Sequence, residues 1–319
     1  MDRQDAYDAV IVGGGVAGLS AALVLGRARR RVAVIDDGSP RNAPAHAAFG
    51  FTTRDGVRPG DLVDLARQDL DPYGVAFIDG RAEAAQDDGT DWIVRTADGA
   101  AVRGRHVVVA TGLRDKLPGI GGAREAWGHG LLQCPYCHGW EVRDQALGVL
   151  GSSSESVQQA LLVRQWSEDV TFFPHVLGAL SDDDERRLRC RGIRIVEGTV
   201  RRLVLQGGDD GGPRAVRSVA LDGGATVPCS AVFCEPGSDA FLPLLEAFGC
   251  TMRDDGCVTT DGIGRTSVER VWAVGNAADP AAQLLPAAGD AYRVAVAINA
   301  VMVRDECEAC LAPEESVHG

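Results

Sequence analysis

The sequence predicts an α/β protein built from two Rossmann-like dinucleotide-binding domains, the second inserted into the first. Three observations carry that expectation. The chain opens on a strand, glycine turn, helix and strand at residues 8–38, and a second such unit stands at 145–175. The apolar strands that would complete the first domain lie on either side of the second, at 106–119 and 268–280. A length of 319 residues gives each of two domains enough chain to bury its own core.

The opening stretch, "DAVIVGGGVAGLSAALVLGRARRRVAVIDDG", runs from an apolar strand through a glycine turn into an Ala/Leu helix and out along a second apolar strand ending at Asp36. Gly13, Gly15 and Gly18 form G-x-G-x-x-G, whose glycines serve the tight turn, close approach to a pyrophosphate and helix-to-strand packing. Asp36 stands where an acid meets a ribose hydroxyl. A lone glycine fingerprint is weak evidence, but here strand, turn, helix and acid occur together in the required order.

"HVVVATGLRDKLPG" (106–119) and "VERVWAVGNAADP" (268–280) each read as an apolar strand ending in a small-residue turn. "LLPAAGDAYRVAVAINAVM" after them reads as a helix whose N-terminus offers its positive dipole end to a cofactor carbonyl. The first domain is therefore expected to be discontinuous, 1–115 plus 240–310, with 116–239 inserted and 311–319 a solvated tail. The Gly/Pro-bearing stretches "RDKLPG" and "CEPGSDAF" are the expected crossing points, and "GGDDGGPRA" (207–215) reads as a hairpin tip or loop.

Within the insert, the second turn reads Gly151, Ser152, Ser153, Ser154, Glu155, Ser156. Serine holds the places of both the second and third glycines, and Glu155 brings negative charge to where phosphates would sit. NADP selectivity would need a cation near the end of the next strand; that strand gives Phe172, Phe173, Pro174 and His175, then an acidic run. Arg186 and Arg187 come later and read as residues of a solvated helix face. The insert is expected to keep a Rossmann-like fold without its nucleotide.

Composition narrows the class. Apolar residues at 45%, aromatics at 5% and 40 glycines suit an Ala/Val/Gly-rich α/β chain with many tight turns. A formal charge of -13 argues against nucleic acid or an anionic membrane surface as partner. "MDRQDAY" is polar and acidic, the apolar run behind it breaks at glycines, and no stretch is long enough to span a bilayer, so a cytoplasmic protein is expected.

Nine cysteines in such a chain do not form a structural disulfide framework. Cys190, Cys229, Cys234, Cys250 and Cys257 are scattered and read as small buried residues, leaving the pairs Cys134/Cys137 and Cys307/Cys310. The first lies in "CPYCHGWE" (134–141), spaced for a redox disulfide or half a zinc site. A structural zinc needs four ligands, and "CEAC" falls in a peripheral segment after the last helix, so no metal is expected.

Cysteines three apart on a turn entering a helix can reach disulfide distance, and the helix N-terminus lowers the pKa of the first thiol. His138, next in sequence, is the candidate base, with Glu141 able to orient it; the plainer alternative is a histidine that only caps the turn. Trp127, His129, Tyr136 and Trp140 could shape an apolar pocket, though aromatics in such places are as often packing.

With a dinucleotide domain, a nucleotide-like insert and a C-x-x-C opening that insert, the chain resembles low-molecular-weight thioredoxin reductases over almost its whole length. "CPYCHGWE", "IDDGSPRNAPAH" (35–46) and "GNAADP" resemble more closely a branch of dithiol oxidases that close disulfides in natural products of the holomycin, gliotoxin and romidepsin type. The resemblance implies a two-dinucleotide-binding-domain flavoprotein, a homodimer with tightly bound FAD. It assigns flavin contacts to Gly13, Gly14, Gly15, Val16, Ala17, Gly18, Asp36, Asp37, Arg41 and Ala84. It adds Ala110, Thr111, Gly112, Gly275, Asn276, Leu284 and Leu285.

By family position, Cys134 is the outer sulfur attacked by substrate and Cys137 the sulfur next to the flavin. The reductases carry aspartate where His138 stands, so the histidine suits the oxidase branch. Without a nucleotide donor, electrons would enter from a small-molecule dithiol, pass to FAD and leave on molecular oxygen. The alternatives are an NADPH-dependent disulfide reductase and a flavin-bearing thiol redox sensor.

Overall fold

The chain's architecture follows from strands buried on both faces. The computed structural model describes residues 6–207, 215–240 and 242–311; all but the ends of the predicted loop at 207–215 and all but the first residue of the predicted tail at 311–319 lie outside them. Two compact units emerge, one comprising the chain through Pro40, Gly60–Arg114 and the chain from Asp239, the other Arg41–Pro59 and Asp115–Ser238. The sequence reading left 41–59 in the first domain; these residues pack with the second unit.

In chain order, β1 (Tyr7–Val12), α1 (Val16–Arg27), β2 (Val32–Asp36), α2 (Pro59–Gln68), β3 (Ala76–Asp79), β4 (Ala82–Asp87), β5 (Trp92–Thr96) and β6 (Ala101–Val109) build most of the first unit. Next, β7 (Leu113–Lys116) leads into α3 (Ala123–Ala126), β8 (Leu131–Leu132), α4 (Pro135–His138), β9 (Leu147–Leu150), α5 (Ser156–Val163), β10 (Val170–Phe173) and α6 (Asp182–Cys190). The strands β11 (Arg194–Ile195), β12 (Val200–Gln206), β13 (Ala215–Leu221), β14 (Thr226–Pro228), β15 (Ala231–Phe233) and β16 (Gly237–Ala240) follow. The chain ends on α7 (Leu242–Phe248), β17 (Val271–Ala273) and α8 (Leu284–Leu311).

The first unit's sheet has the order β3-β2-β1-β6-β5-β4, with β17 also on β6. The nine-residue β6 pairs parallel with β1 along one edge and divides its other edge between two partners: Ala101–Gly104 pairs antiparallel with β5, and Val107–Val109 pairs parallel with β17. Period-two alternation divides the central strands between two cores. Val10, Val12, Ala33, Ile35, Val107 and Val109 face one of them. Ala9, Ile11, Val32, Val34 and Val108 face the other, under α1 and α8. In α1, Gly18, Ala22 and Leu25 recur at helical spacing and bury. The predicted last helix continues to Leu311, so Cys307 and Cys310 lie in its final turns, exposed, rather than after it.

The second unit holds a parallel sheet of order β11-β10-β9-β15-β8 and an antiparallel one of order β12-β13-β14. Leu147, Val149, Phe172 and Phe233 face α5 and α6 through Val157, Ala160, Val163 and Leu188. On the opposite face, Leu131, Leu150, Phe173 and Val232 pack with Leu203, Val216 and Val219 of the antiparallel strands. Of the scattered cysteines, Cys229, Cys234, Cys250 and Cys257 are buried as expected, whereas Cys190 is exposed at the end of α6. Among the described residues, no helix is long and apolar enough to cross a membrane.

Candidate functional site

In the first unit, the G-x-G-x-x-G residues form the turn between β1 and α1, at the carboxyl ends of the parallel strands. A Cβ on Gly18 would overlap the carbonyl oxygen of Gly13, so the helix can lie against the turn only with glycine there. The backbone N–H of Gly14 donates to Asp36 Oδ1 at 2.9 Å, and Arg67 Nη2 meets Asp36 Oδ2 at 2.8 Å. Asp36 thus braces the turn, with lone pairs left on both oxygens. Asp37 accepts from Ser39 N–H and pairs with Arg81.

Ala110, Thr111 and Gly112 follow β6 beside this turn, with Ala110 N–H donating to the Val12 carbonyl at 2.8 Å. Gly275 brings the turn after β17 onto α1: its Cβ position lies 2.9 Å from the Ala17 Cβ. The amide of Asn276 donates to the carbonyls of Asp279, Pro280 and Ala282, shaping the loop that enters α8 at Leu284 and Leu285. Ala84 stands apart on β4, separated from β6 by β5.

Two features make this turn fit a dinucleotide. Val16 and Ala17 begin α1 behind Gly15, which supplies no side-chain cap and has no atom within 4 Å of its Cβ position. The Thr111 hydroxyl is buried with no hydrogen-bond partner in the structure, an acceptor or donor left for a ligand.

The redox residues lie in the second unit. Cys134 and Cys137 are joined as a disulfide, with Cα atoms 5.2 Å apart. The expected helix is a single turn, α4, with Cys134 at its N-cap; Cys134 Sγ accepts from the Cys137 N–H at 3.1 Å. A Cβ on Gly139 would lie 2.5 Å from the Pro135 carbonyl oxygen and 2.7 Å from the Trp166 ring, so the turn rests directly on that indole. Tyr136 meets the same indole edge-on at 5.5 Å.

His138 is half-buried, and Phe49 lies edge-on to it with ring centroids 6.2 Å apart. Burial pushes the His138 pKa down to about 4, and His46 and His129 push the same way. Burial also lowers His129. Oε2 of Glu141 is buried without a hydrogen-bond partner, so that oxygen does not orient the histidine. Among the predicted pocket aromatics, Trp127 packs against the core of β12 and β13, while Tyr136 and Trp140 are exposed, Trp140 under the Arg143 guanidinium at 4.0 Å.

Arg41 belongs to this unit as well. Its guanidinium pairs with Asp115 at 2.6 Å and donates to Gln133 Oε1 at 3.1 Å, next to Cys134. Neither partner was visible from sequence, nor were Phe49 and Trp166: they come from segments far apart in the chain, and no spacing rule connects them.

The turn after β9 differs from the one after β1. Ser156 Oγ accepts from the backbone N–H groups of Ser152 (3.0 Å) and Ser153 (3.1 Å), the amides a glycine turn would offer a pyrophosphate. The Glu235 carboxylate accepts from the Ser153 hydroxyl at 2.9 Å, and its carbonyl from Ser152 Oγ at 2.9 Å. At the end of β10, His175 Nδ1 accepts from the Val200 N–H. Arg186 and Arg187 pair with Asp183 and Asp184 on their own helix.

Comparison with known proteins gives a consistent result. The profile described as pyridine nucleotide-disulphide oxidoreductase matches residues 7–301. The thioredoxin reductase sirT of Leptosphaeria maculans is 28% identical over 309 residues, 92% of this chain and 93% of that protein. A probable thioredoxin reductase of Arthroderma benhamiae is 36% identical over 174 residues, 52% of this chain but only 43% of the relative. The crystal structure of HlmI superposes with a TM-score of 0.91 at 45% identity, covering 98% of this chain and 97% of HlmI.

Proposed function

This chain belongs to the pyridine nucleotide-disulphide oxidoreductase family, whose members bind FAD, and from that premise we propose that it oxidises a small-molecule dithiol to an intramolecular disulfide, with dioxygen as acceptor. The observation that carries the reading is the closed turn at 151–156. A pyridine nucleotide needs the amides of Ser152 and Ser153, and Ser156 already accepts from both. It would also bring phosphates towards the Glu235 carboxylate, at a cost in like-charge repulsion. With that entry closed, electrons enter through sulfur.

In this mechanism a substrate thiolate attacks Sγ of Cys134, the Cys134–Cys137 bond breaks, and Cys137 leaves as thiolate. The second substrate thiol then attacks the substrate sulfur of the mixed disulfide, closing the product and releasing Cys134. His138, uncharged at neutral pH because of its depressed pKa, takes the proton shed as thiolate forms; the new negative charge beside it then favours imidazolium. Gly13–Gly18, Asp36 and Thr111 would hold the FAD, which would supply the two-electron acceptor between the dithiol and dioxygen. The sum is dithiol plus oxygen giving disulfide plus hydrogen peroxide.

The sirT relative carries the name thioredoxin reductase; what favours oxidation over NADPH-dependent reduction in this chain is the turn at 151–156, its amides taken by Ser156. Seven free cysteines beside one redox pair support a cytoplasmic setting. Homodimer assembly belongs to the same proposal: Leu285 (40% exposed), Tyr292 (58%), Val296 (49%) and Val303 (45%) fall on one face of α8, an apolar stripe suited to a second copy.

The test is peroxide formation from dithiothreitol in air. The wild type is expected to give one peroxide per dithiol consumed, and Cys134→Ser and Cys137→Ser none. Full turnover in either variant would refute the exchange mechanism.

A further inference from the structure

We propose that Gln159 is a positioning residue for Cys134: its side-chain amide fixes the peptide from which the redox turn begins. The role given to Cys134 rests on the oxidase reading above; the geometry of Gln159 does not.

The strand leading to the disulfide runs out of sheet partners one residue too soon. β8 pairs with β15 through Leu132, whose carbonyl accepts from the Cys234 N–H at 2.9 Å. Gln159 Nε2 takes up the next carbonyl, that of Gln133, at 2.8 Å. Gln159 is 6% exposed, and its Oε1 is buried without a partner. Its amide orientation is therefore set by that bond alone, since the flipped amide would point oxygen at oxygen. From the other side, Arg41 holds the Gln133 side chain.

Pinning the Gln133 carbonyl fixes the plane of the peptide joining Gln133 to Cys134. That plane sets where Cys134 begins its N-cap conformation (φ -99, ψ 114), and so whether Sγ meets the Cys137 N–H. A donor on sulfur favours thiolate over thiol, which lowers the pKa and speeds exchange. Gln159 lies one turn into α5, the helix that begins at Ser156. In a nucleotide-binding turn that helix would offer its N-terminal amides to phosphate. Here it offers a side-chain amide to the redox turn.

The experiment reduces the full-length protein and follows alkylation of Cys134 by iodoacetamide against pH, by mass spectrometry. Cys229 and Cys234, buried and with thiols pushed up to about 12, serve as unreactive controls. Gln159→Met keeps the volume and removes the donor. It is expected to raise the Cys134 pKa, slow alkylation at neutral pH by about threefold to tenfold, and shift the dithiol–disulfide equilibrium with glutathione towards disulfide by a similar factor. Gln159→Leu makes the same measurement should Gln159→Met fail to fold. An alkylation profile and glutathione equilibrium unchanged in a folded variant would overturn the proposal. Neither readout needs oxygen or a natural substrate, so a wild type that makes no peroxide would sink the oxidase reading alone.

Discussion

Changing the pH around His138 separates a working base from a bystander. Burial and two neighbouring histidines bring its pKa to about 4. At about pH 5.5 a group with that pKa is only ~3% protonated, whereas one at the ordinary 6.5 would be ~90% protonated and cost about tenfold in rate. The perturbation is therefore a fall from about pH 7.5 to about pH 5.5, and the readout is kcat/KM for peroxide formation from dithiothreitol. The wild type is expected to hold nearly level across that range, because His138 remains unprotonated and takes the thiol proton itself. In His138→Gln, activity is expected to fall by roughly 10²–10⁴-fold and to track substrate thiolate, dropping about tenfold per pH unit. A wild-type limb near 6.5, or a variant with parallel pH dependence and undiminished rate, would refute the role.

Gly18→Ala places a methyl against the Gly13 carbonyl, where only backbone could move; the purified variant is expected to lack the flavin absorption band, and full flavin content would contradict the turn's role. His138 and His106 both have folded pKa values near 4, below the unfolded 6.5, so the unfolded chain binds protons first as pH falls. Stability is therefore expected to drop as pH falls from about 6.5 towards about 4, by up to ~3 kcal/mol per histidine, and His106→Leu to flatten part of that slope in urea titrations.

Much of the flavin-binding half was legible because its signals are local. The turn from Gly13 to Gly18, the acid at Asp36 and the strand leading to the small-residue turn at Thr111 each follow from a short pattern with a known physical purpose. The serines of the second turn were equally visible. Their consequence, that Ser156 caps the turn's own amides and Glu235 closes over it, required the fold, because Glu235 lies 82 residues from Ser153. The redox turn itself was readable from C-x-x-C; its supports were not. Phe49 and Arg41 reach it because 41–59 packs with the second unit, and nothing in their composition marks that excursion. No sequence pattern marks Gln159; its role depends on the fold setting its amide on the carbonyl before Cys134.

Mixing the oxidised protein with excess NADPH in the absence of oxygen, and following the flavin band in a stopped-flow instrument, tests the central claim most directly. With the amides of Ser152 and Ser153 already bound by Ser156, the flavin is expected to remain oxidised with NADPH and to bleach on adding dithiothreitol. Rapid bleaching by NADPH alone would contradict the account and reverse the direction of electron flow.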